Sequence, residues 1–375
     1  MTFDAVVVGA GIVGASVAYY LAEAGLRVGV LEAAPAPATG ATARSAGGIR
    51  VQFSNPANAR LSRESIEILK GFSDAFGVDP GYRPRGYLFL LPEGAWERWK
   101  GAMADLAAQG YPVELWDLGQ ARDRLEFDPA GLAGASFGPE DGVFDPPTVA
   151  LAYLKAARER GARVLFEAPL IEAERRPGGW RLRTPREVIE APLWVNAAGA
   201  WAGEVAGRAG YALPVTPYRR SIYLTAPAGA RPGPLVVDAA SGVYFRPEGA
   251  RFLFGASNPD EPPGFREGVD PDWMVEVLVR AAERFPWFAE LGIDRRSAWW
   301  GYYAETPDKN AVIGPVPGLE GAWVAAGFSG HGAQQAPAVG RRLADWIVSG
   351  RPGPLAPFGF SRLARGAGLR EAGIV

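Results

Sequence analysis

Apolar positions along this chain fall into short unbroken runs and into helical rows, and the two alternate most clearly in residues 1–32. Ala5, Val6, Val7 and Val8 form an unbroken run, the mark of a strand buried on both faces. Residues 12–24 are rich in Ala and read as a helix, and residues 28–31 are a second short apolar strand closed by Glu32. Helical periodicity returns at 61–76, 95–110, 148–160, 273–285 and 335–349. Residues 163–166 read as the strand after the third of these. Residues 167–193 alternate and turn like a small β-meander, and 193–198 is a buried strand running into Gly199. Residues 215–225, 235–246 and 251–256 read as strands of a mixed sheet, and 322–326 as a last core strand. Pro/Gly-rich stretches near 80–86, 138–147, 226–234 and 258–271 punctuate the pattern as loops or crossings between domains.

Between the first strand and the first helix lies GAGIVG: Gly9, Ala10, Gly11, Ile12, Val13 and Gly14. Gly9 permits a tight turn, Gly11 lets a pyrophosphate approach the backbone, and Gly14 lets the helix pack close to the sheet. The N–H groups and partial positive charge of the helix start hold phosphate. Glu32, followed by Ala33, stands where a carboxylate can accept from a ribose hydroxyl. The pattern therefore predicts a dinucleotide site. The strands nearest this unit are scattered along the sequence. The expected fold is α/β: a Rossmann-like dinucleotide-binding domain from residues 1–85, 141–214 and 302–375, with an α+β substrate domain (86–140 and 215–301) built on a mixed, mainly antiparallel sheet.

Composition removes several alternatives. A net charge of −2 gives no broad attraction to nucleic acid or acidic membranes. No apolar run has the length of a membrane span, and the N-terminus lacks a basic region before its apolar strand, so a cytoplasmic protein without a cleaved signal peptide is expected. With no Cys, disulfides, thiolate metal sites and a cysteine-linked cofactor are excluded. With one His, His331, a multi-histidine metal site is excluded too, and no metal is expected.

Four motifs point further: the N-terminal unit, GATARSAGGIR at 40–50, VNAAGAWAGEVA at 195–206, and the C-terminal pair TPDKNAVIGPVPG (306–318) and GFSGHGAQQAPAVG (327–340). In this order they resemble the D-amino-acid oxidase superfamily of FAD-dependent oxidoreductases. The resemblance is strongest to the branch with monomeric sarcosine oxidase, glycine oxidase and the β subunits of sarcosine oxidase and archaeal L-proline dehydrogenase. It implies FAD, held non-covalently because there is no Cys. It places Ala43, Arg44, Ser45, Ala46 and Gly47 along the flavin, Ala197, Ala198, Gly199 and Trp201 near the cofactor, and Pro169 and Leu170 at the adenine.

The turn Gly327, Ser329, Gly330, His331, Gly332, Ala333, Gln334 joins an apolar strand to a helix. It aims backbone N–H groups and a positive helix end at its neighbour, which would stabilise a reduced flavin anion; a plain helix cap is the alternative. His331 is expected to position or polarise, since hydride transfer from a small amine needs only the neutral lone pair. The resemblance also implies an Arg and a Tyr or Lys holding a substrate carboxylate, because bidentate pairing fixes orientation. Arg50, Tyr244, Arg246 and Tyr303 are the candidates; Tyr244 and Arg246 alternate on one strand and so share a face.

Gln334 stands where sarcosine oxidase has a Lys, which counts against sarcosine itself. Residues 251–257 lack the Lys that promotes reaction with oxygen in that enzyme. The expected activity is oxidation of the C–N bond of a small amino acid or N-alkyl amino acid of the sarcosine, proline or glycine type. Hydride passes to the flavin and the imine is then hydrolysed, with a dehydrogenase favoured over an oxidase. A 2-hydroxy acid dehydrogenase and a non-catalytic FAD-binding assembly or scaffold subunit stay open. So do a homo-oligomer and a partner electron-transfer subunit.

Overall fold

The buried apolar runs become the centre of a parallel sheet. In this computed structural model, which describes residues 1–230, 232–364, 369 and 371, Ala5–Val8 lies between Leu193–Asn196 and Val28–Leu31, parallel to both. The six-stranded order is Val312–Pro315, Ala322–Ala326, Leu193–Asn196, Ala5–Val8, Val28–Leu31, Arg163–Leu165, and only the Val312–Pro315 edge runs antiparallel to its neighbour. Ala5 and Val7 face one core; Val6 and Val8 face another. The first side is covered by the helices Ile12–Glu23, Pro146–Glu159 and Gly332–Ser349. Ile12–Glu23 and Gly332–Ser349 nearly touch: a Cβ on Gly340 would overlap Ser16. The second side is covered by the antiparallel strands Glu172–Arg176, Gly179–Arg183 and Val188–Ala191, through Trp180, Leu182 and Ile189.

A second, eight-stranded sheet has the order Trp299–Glu305, Thr216–Leu224, Arg251–Gly255, Tyr244–Glu248, Leu235–Asp238, Tyr87–Pro92, Leu132–Gly138, Glu114–Trp116. It is antiparallel except where Leu235–Asp238 pairs with Tyr87–Pro92. Alternation sorts its faces. Leu88, Leu90, Val236, Phe245 and Phe254 pack with Met274, Val277 and Ala281 of the helix Pro271–Arg284. Tyr87, Phe89, Leu235 and Val237 turn the other way, into the core shared with the first sheet. The ribbon Gly48–Ile49 with Gly142–Val143 joins the two halves.

The expected α/β arrangement is present, with three local differences. The helix expected at 61–76 starts earlier, at Asn55, whose side chain accepts from the Ala57 N–H, and it breaks at Gly71 into Pro56–Lys70 and Phe72–Phe76. The single strand expected at 235–246 is two strands, Leu235–Asp238 and Tyr244–Glu248. Asp238 ends the first by accepting from Gly242 N–H and Ser241 Oγ, and Gly242 takes φ +75°. The strands Tyr87–Pro92, Leu132–Gly138, Trp299–Glu305 and Val312–Pro315 were not anticipated. Arg231, in the expected loop at 226–234, lies outside the described residues, as do 365–368, 370 and 372–375 of the expected C-terminal piece.

Candidate active site

At the nucleotide end the backbone makes the site. Gly9 has φ +109°, and a Cβ there would stand 2.5 Å from Ala197 O; a Cβ on Gly14 would overlap Gly9 O. Both positions must be glycine, and the space they leave is the cradle a pyrophosphate needs. Thr42 Oγ1 accepts from Ile12 N–H at 3.0 Å and so docks the 40–50 loop on the helix start. Thr42 went unremarked in the sequence, although it sits inside the GATARSAGGIR motif. The Glu32 carboxylate accepts from Ala10 N–H at 2.7 Å and Ala34 N–H at 2.8 Å, which keeps its remaining lone pairs available to a ribose. Ala33 is exposed beside it. Ala168 N–H donates to Glu32 O, Glu167 N–H to Ala34 O, and Arg208 to Leu170 O, so Pro169 and Leu170 lie alongside Glu32. Asn196 Oδ1 accepts from Ala198 N–H at 3.3 Å and orders the chain from Ala197 to Gly199.

Further along, Arg44 lies over Trp300 at 4.2 Å and donates to Trp300 O, while Trp299 Nε1 donates to Arg44 O. These contacts fasten the 40–50 loop to the edge strand Trp299–Glu305. Ser45 Oγ accepts from Gly47 N–H, and Gly47 takes φ +72° against Phe144 O. Arg246 Nε donates to Ala46 O at 3.0 Å, and its charge is met by Glu248. Trp201 is 43% exposed and stacks on Phe265 at 5.1 Å. Neither Arg246 nor Trp201 joins the cluster described next.

The C-terminal turn is bent by three positive φ values, at Gly327, Ser329 and Gly330. Tyr303 lies on it: a Cβ on Gly330 would stand 2.5 Å from Tyr303 Cε2. Ser329 N–H donates to Ala304 O, and Ser329 Oγ accepts from Thr306 N–H. His331 caps the helix Gly332–Ser349, whose first N–H groups, on Gly332, Ala333 and Gln334, precede the first helical bond, from Gln335 to His331 O.

Opposite this turn stands Arg50. Its guanidinium is buried and caged by rings, 4.5 Å from Phe53, 5.3 Å from Phe89 and 5.5 Å from Tyr87. Nε donates to Gln52 O, and no carboxylate lies within ion-pair distance among the described residues. The Arg50 N–H donates to Gln334 Oε1 at 3.0 Å, which leaves the Gln334 amino group without a hydrogen-bond partner among the described residues. His331 meets Phe53 edge-on at 5.1 Å; burial, and then the charge of Arg50, push its pKa down to about 3, so the imidazole is neutral at pH 7. Burial raises the Tyr244 and Tyr303 phenols, the latter against the opposing charges of Arg220 and Arg50. Neither hydroxyl makes a hydrogen bond among the described residues. Of the residues expected to touch substrate, the fold thus gathers Arg50, Tyr303, His331 and Gln334, with Tyr244 close by through its coupling to Tyr303 and Tyr87.

Several members of the cluster were missed, among them Phe53, Phe89, Tyr87 and Arg220. Tyr87 was hidden in the apolar run YLFLLP. Arg220 lies 5.4 Å from the Tyr303 ring and pairs with Glu305 at 2.7 Å. The Arg219–Arg220 pair in an alternating strand was a signal, since neighbours on a strand face opposite ways; Arg219 instead meets Glu261 and Asp270. An unpaired cation in an aromatic cage, flanked by phenols, an amide and a neutral imidazole, is suited to a small carboxylate-bearing molecule.

The family model for FAD dependent oxidoreductases, DAO, matches residues 4–346. The chain is 35% identical to FAD-dependent oxidoreductase domain-containing protein 1 of Bos taurus, over 98% of this chain and 86% of that protein. The structure of L-proline dehydrogenase from P. horikoshii superposes with a TM-score of 0.89 at 31% identity, covering 97% of this chain and 98% of the other. Glycine oxidase from Geobacillus kaustophilus superposes with a TM-score of 0.83 at 26% identity, covering 96% and 99%.

Proposed function

This chain belongs to the DAO family of FAD-dependent oxidoreductases, and from that premise we propose that it oxidises the C–N bond of a small amino acid or N-alkyl amino acid. The observation that carries the reading is Arg50, a buried cation in an aromatic cage with no carboxylate partner among the described residues. A buried charge left unpaired is costly, so the site favours an anion that arrives from outside. Two similar structures, an L-proline dehydrogenase and a glycine oxidase, support an amino-acid substrate.

In this reading residues 1–85, 141–214 and 302–375 hold FAD and residues 86–140 and 215–301 wall the substrate. When bound, FAD supplies the hydride acceptor. Gly9 to Gly14, Thr42 and Glu32 hold its nucleotide, and Ala43 to Gly47 and the turn from Gly327 to Gln334 flank its ring. Arg50 grips the substrate carboxylate, the Gln334 amino group and the Tyr244 and Tyr303 hydroxyls complete its hydrogen bonds, and neutral His331 positions the amine by accepting a hydrogen bond from it without taking its proton. Arg246 keeps the flavin loop in place through Ala46 O. Arg251–Gly255 carries no Lys, which favours a dehydrogenase that passes its electrons to a quinone or a partner subunit.

The test is anaerobic bleaching of the flavin band with proline, sarcosine, glycine, D-amino acids and 2-hydroxy acids, followed by air. Bleaching by an amino acid with slow return of colour is expected. Bleaching by a 2-hydroxy acid alone would move the reaction to C–O bonds, and no bleaching at all would favour a non-catalytic FAD-binding subunit.

A further inference from the structure

Beside the residues that follow Arg50 lies a second buried ionisable group. Asp141 is fully buried in the turn between Leu132–Gly138 and Gly142–Val143. Its Oδ1 accepts from Val51 N–H at 2.8 Å and its Oδ2 from Gln52 Nε2 at 2.9 Å. Gln52 is buried as well: Nε2 also donates to Tyr87 O, and Oε1 accepts from Ser136 Oγ, which in turn accepts from Trp99 Nε1. Gly138 leaves the room, because a Cβ there would overlap Asp141. Asp141 therefore grips the two residues that follow Arg50, and the strand that carries Tyr87. Among the described residues no cation forms an ion pair with Asp141 and no carboxylate forms one with Arg50. The two are a separated pair, linked through Val51 and Gln52, and the charge of Arg50 still acts on Asp141.

We propose that Asp141 is the counter-charge of Arg50 in the empty site, and that it takes up a proton when a substrate carboxylate binds Arg50. This rests on the reading that Arg50 receives a carboxylate. Two buried carboxylates cannot both stay ionised around one guanidinium without a large penalty, so the second anion raises the proton affinity of the first. Burial already pushes Asp141 up to about 7, against the hydrogen bonds from Gln52 and Val51 and the charge of Arg50, so the uptake falls near neutral pH.

The surrounding groups leave this role to Asp141. Glu140, in the same turn, also raises it, but is exposed and paired with Lys70. The Tyr82 and Tyr87 phenols are pushed up and stay neutral. Across the cage, His331 and Tyr303 are neutral, and Arg220 is matched by Glu305.

The experiment uses the FAD-loaded protein and pyrrole-2-carboxylate, an anion with no group that titrates near neutrality. Binding is followed by the flavin spectrum and by calorimetry near pH 7 in buffers of differing ionisation enthalpy. The expected result is net uptake on the order of half a proton per ligand, with affinity weakening by up to about tenfold per pH unit between about pH 7 and 9. Asp141→Asn should abolish the uptake, and His331→Asn should leave it. Binding without proton exchange in the wild-type protein overturns the proposal, whether or not Asp141→Asn folds. Uptake that survives in Asp141→Asn, or disappears in His331→Asn, also overturns it. Absence of any binding at any pH removes the carboxylate reading of Arg50, and this proposal with it.

Discussion

The two ends of the site are built by opposite means. At the nucleotide end, backbone groups meet one another and a single carboxylate: Gly9 and Gly14 make room, and Ala10 and Ala34 bind Glu32. At the proposed substrate end, side chains brought from distant parts of the chain surround Arg50 and leave polar groups of Gln334, Tyr244 and Tyr303 without hydrogen-bond partners among the described residues. The first end is a satisfied structure that a ligand completes. The second is an unsatisfied one that a ligand must neutralise. Stability should therefore depend on the first and turnover on the second.

The sharpest way to test this contrast is Gly14→Val. Its side chain would collide with Gly9 O, so the expected product is protein without flavin or protein that fails to fold, read from the ratio of flavin to protein absorbance. Normal flavin content would break the account of the nucleotide end. Arg50→Gln should do the reverse, keeping FAD while lowering kcat/KM for an amino acid by about 10²–10³-fold, the scale for losing one partner of a buried charge pair. Gly330→Ala comes next. It forces a side chain into the Tyr303 ring at a φ of +95°, and roughly a tenfold fall in kcat/KM with flavin retained is expected.

His331→Gln probes the same end through pH. The folded pKa lies near 3, below the ordinary value of 6.5, so the unfolded chain binds this proton first as pH falls. The stability that neutral His331 contributes is present above about pH 6.5 and is lost between there and pH 3. Denaturant titrations should show the glutamine variant losing less stability than the wild type over that range. An identical slope in the two proteins would mean that His331 is hydrated. The smallest effect is expected for Trp201→Ser: with the ring on the surface against Phe265, FAD affinity should change by less than about 0.5 kcal/mol. A tenfold loss would return Trp201 to the cofactor.

The same contrast explains what could be read from the sequence. Gly9, Gly11, Gly14 and Glu32 are legible because a turn, a helix start and a strand end are local events with fixed spacing. The parallel sheet was readable from runs such as Ala5–Val8, buried on both faces. Tyr87–Pro92 defeated the same reasoning: its residues also enter two cores, so no alternation marks the face that reaches the site. Arg50, Tyr303 and His331 were proposed through motif resemblance, and the fold brings them together; nothing near Arg50 in sequence sets it apart from the other arginines. Asp141, Gln52, Ser136 and Trp99 were invisible, each a single polar or aromatic residue whose partner lies in another segment. Arg246 stands apart from the cluster, since sharing a strand face with Tyr244 does not oblige a long side chain to follow it once Ala46 O and Glu248 are nearer.

The order of strands also has a consequence for how the molecule is made. Ala5–Val8 leaves the ribosome well before Leu193–Asn196, one of its two partners, and the helix after it packs on the still later Gly332–Ser349. At typical elongation speeds the cofactor cradle must wait on the order of tens of seconds for the strands and helix that complete it. During that delay its apolar surface has no permanent cover. Newly made chain should therefore be vulnerable to aggregation and to proteases until Leu193–Asn196 and Gly332–Ser349 arrive, and capture of FAD should wait for them.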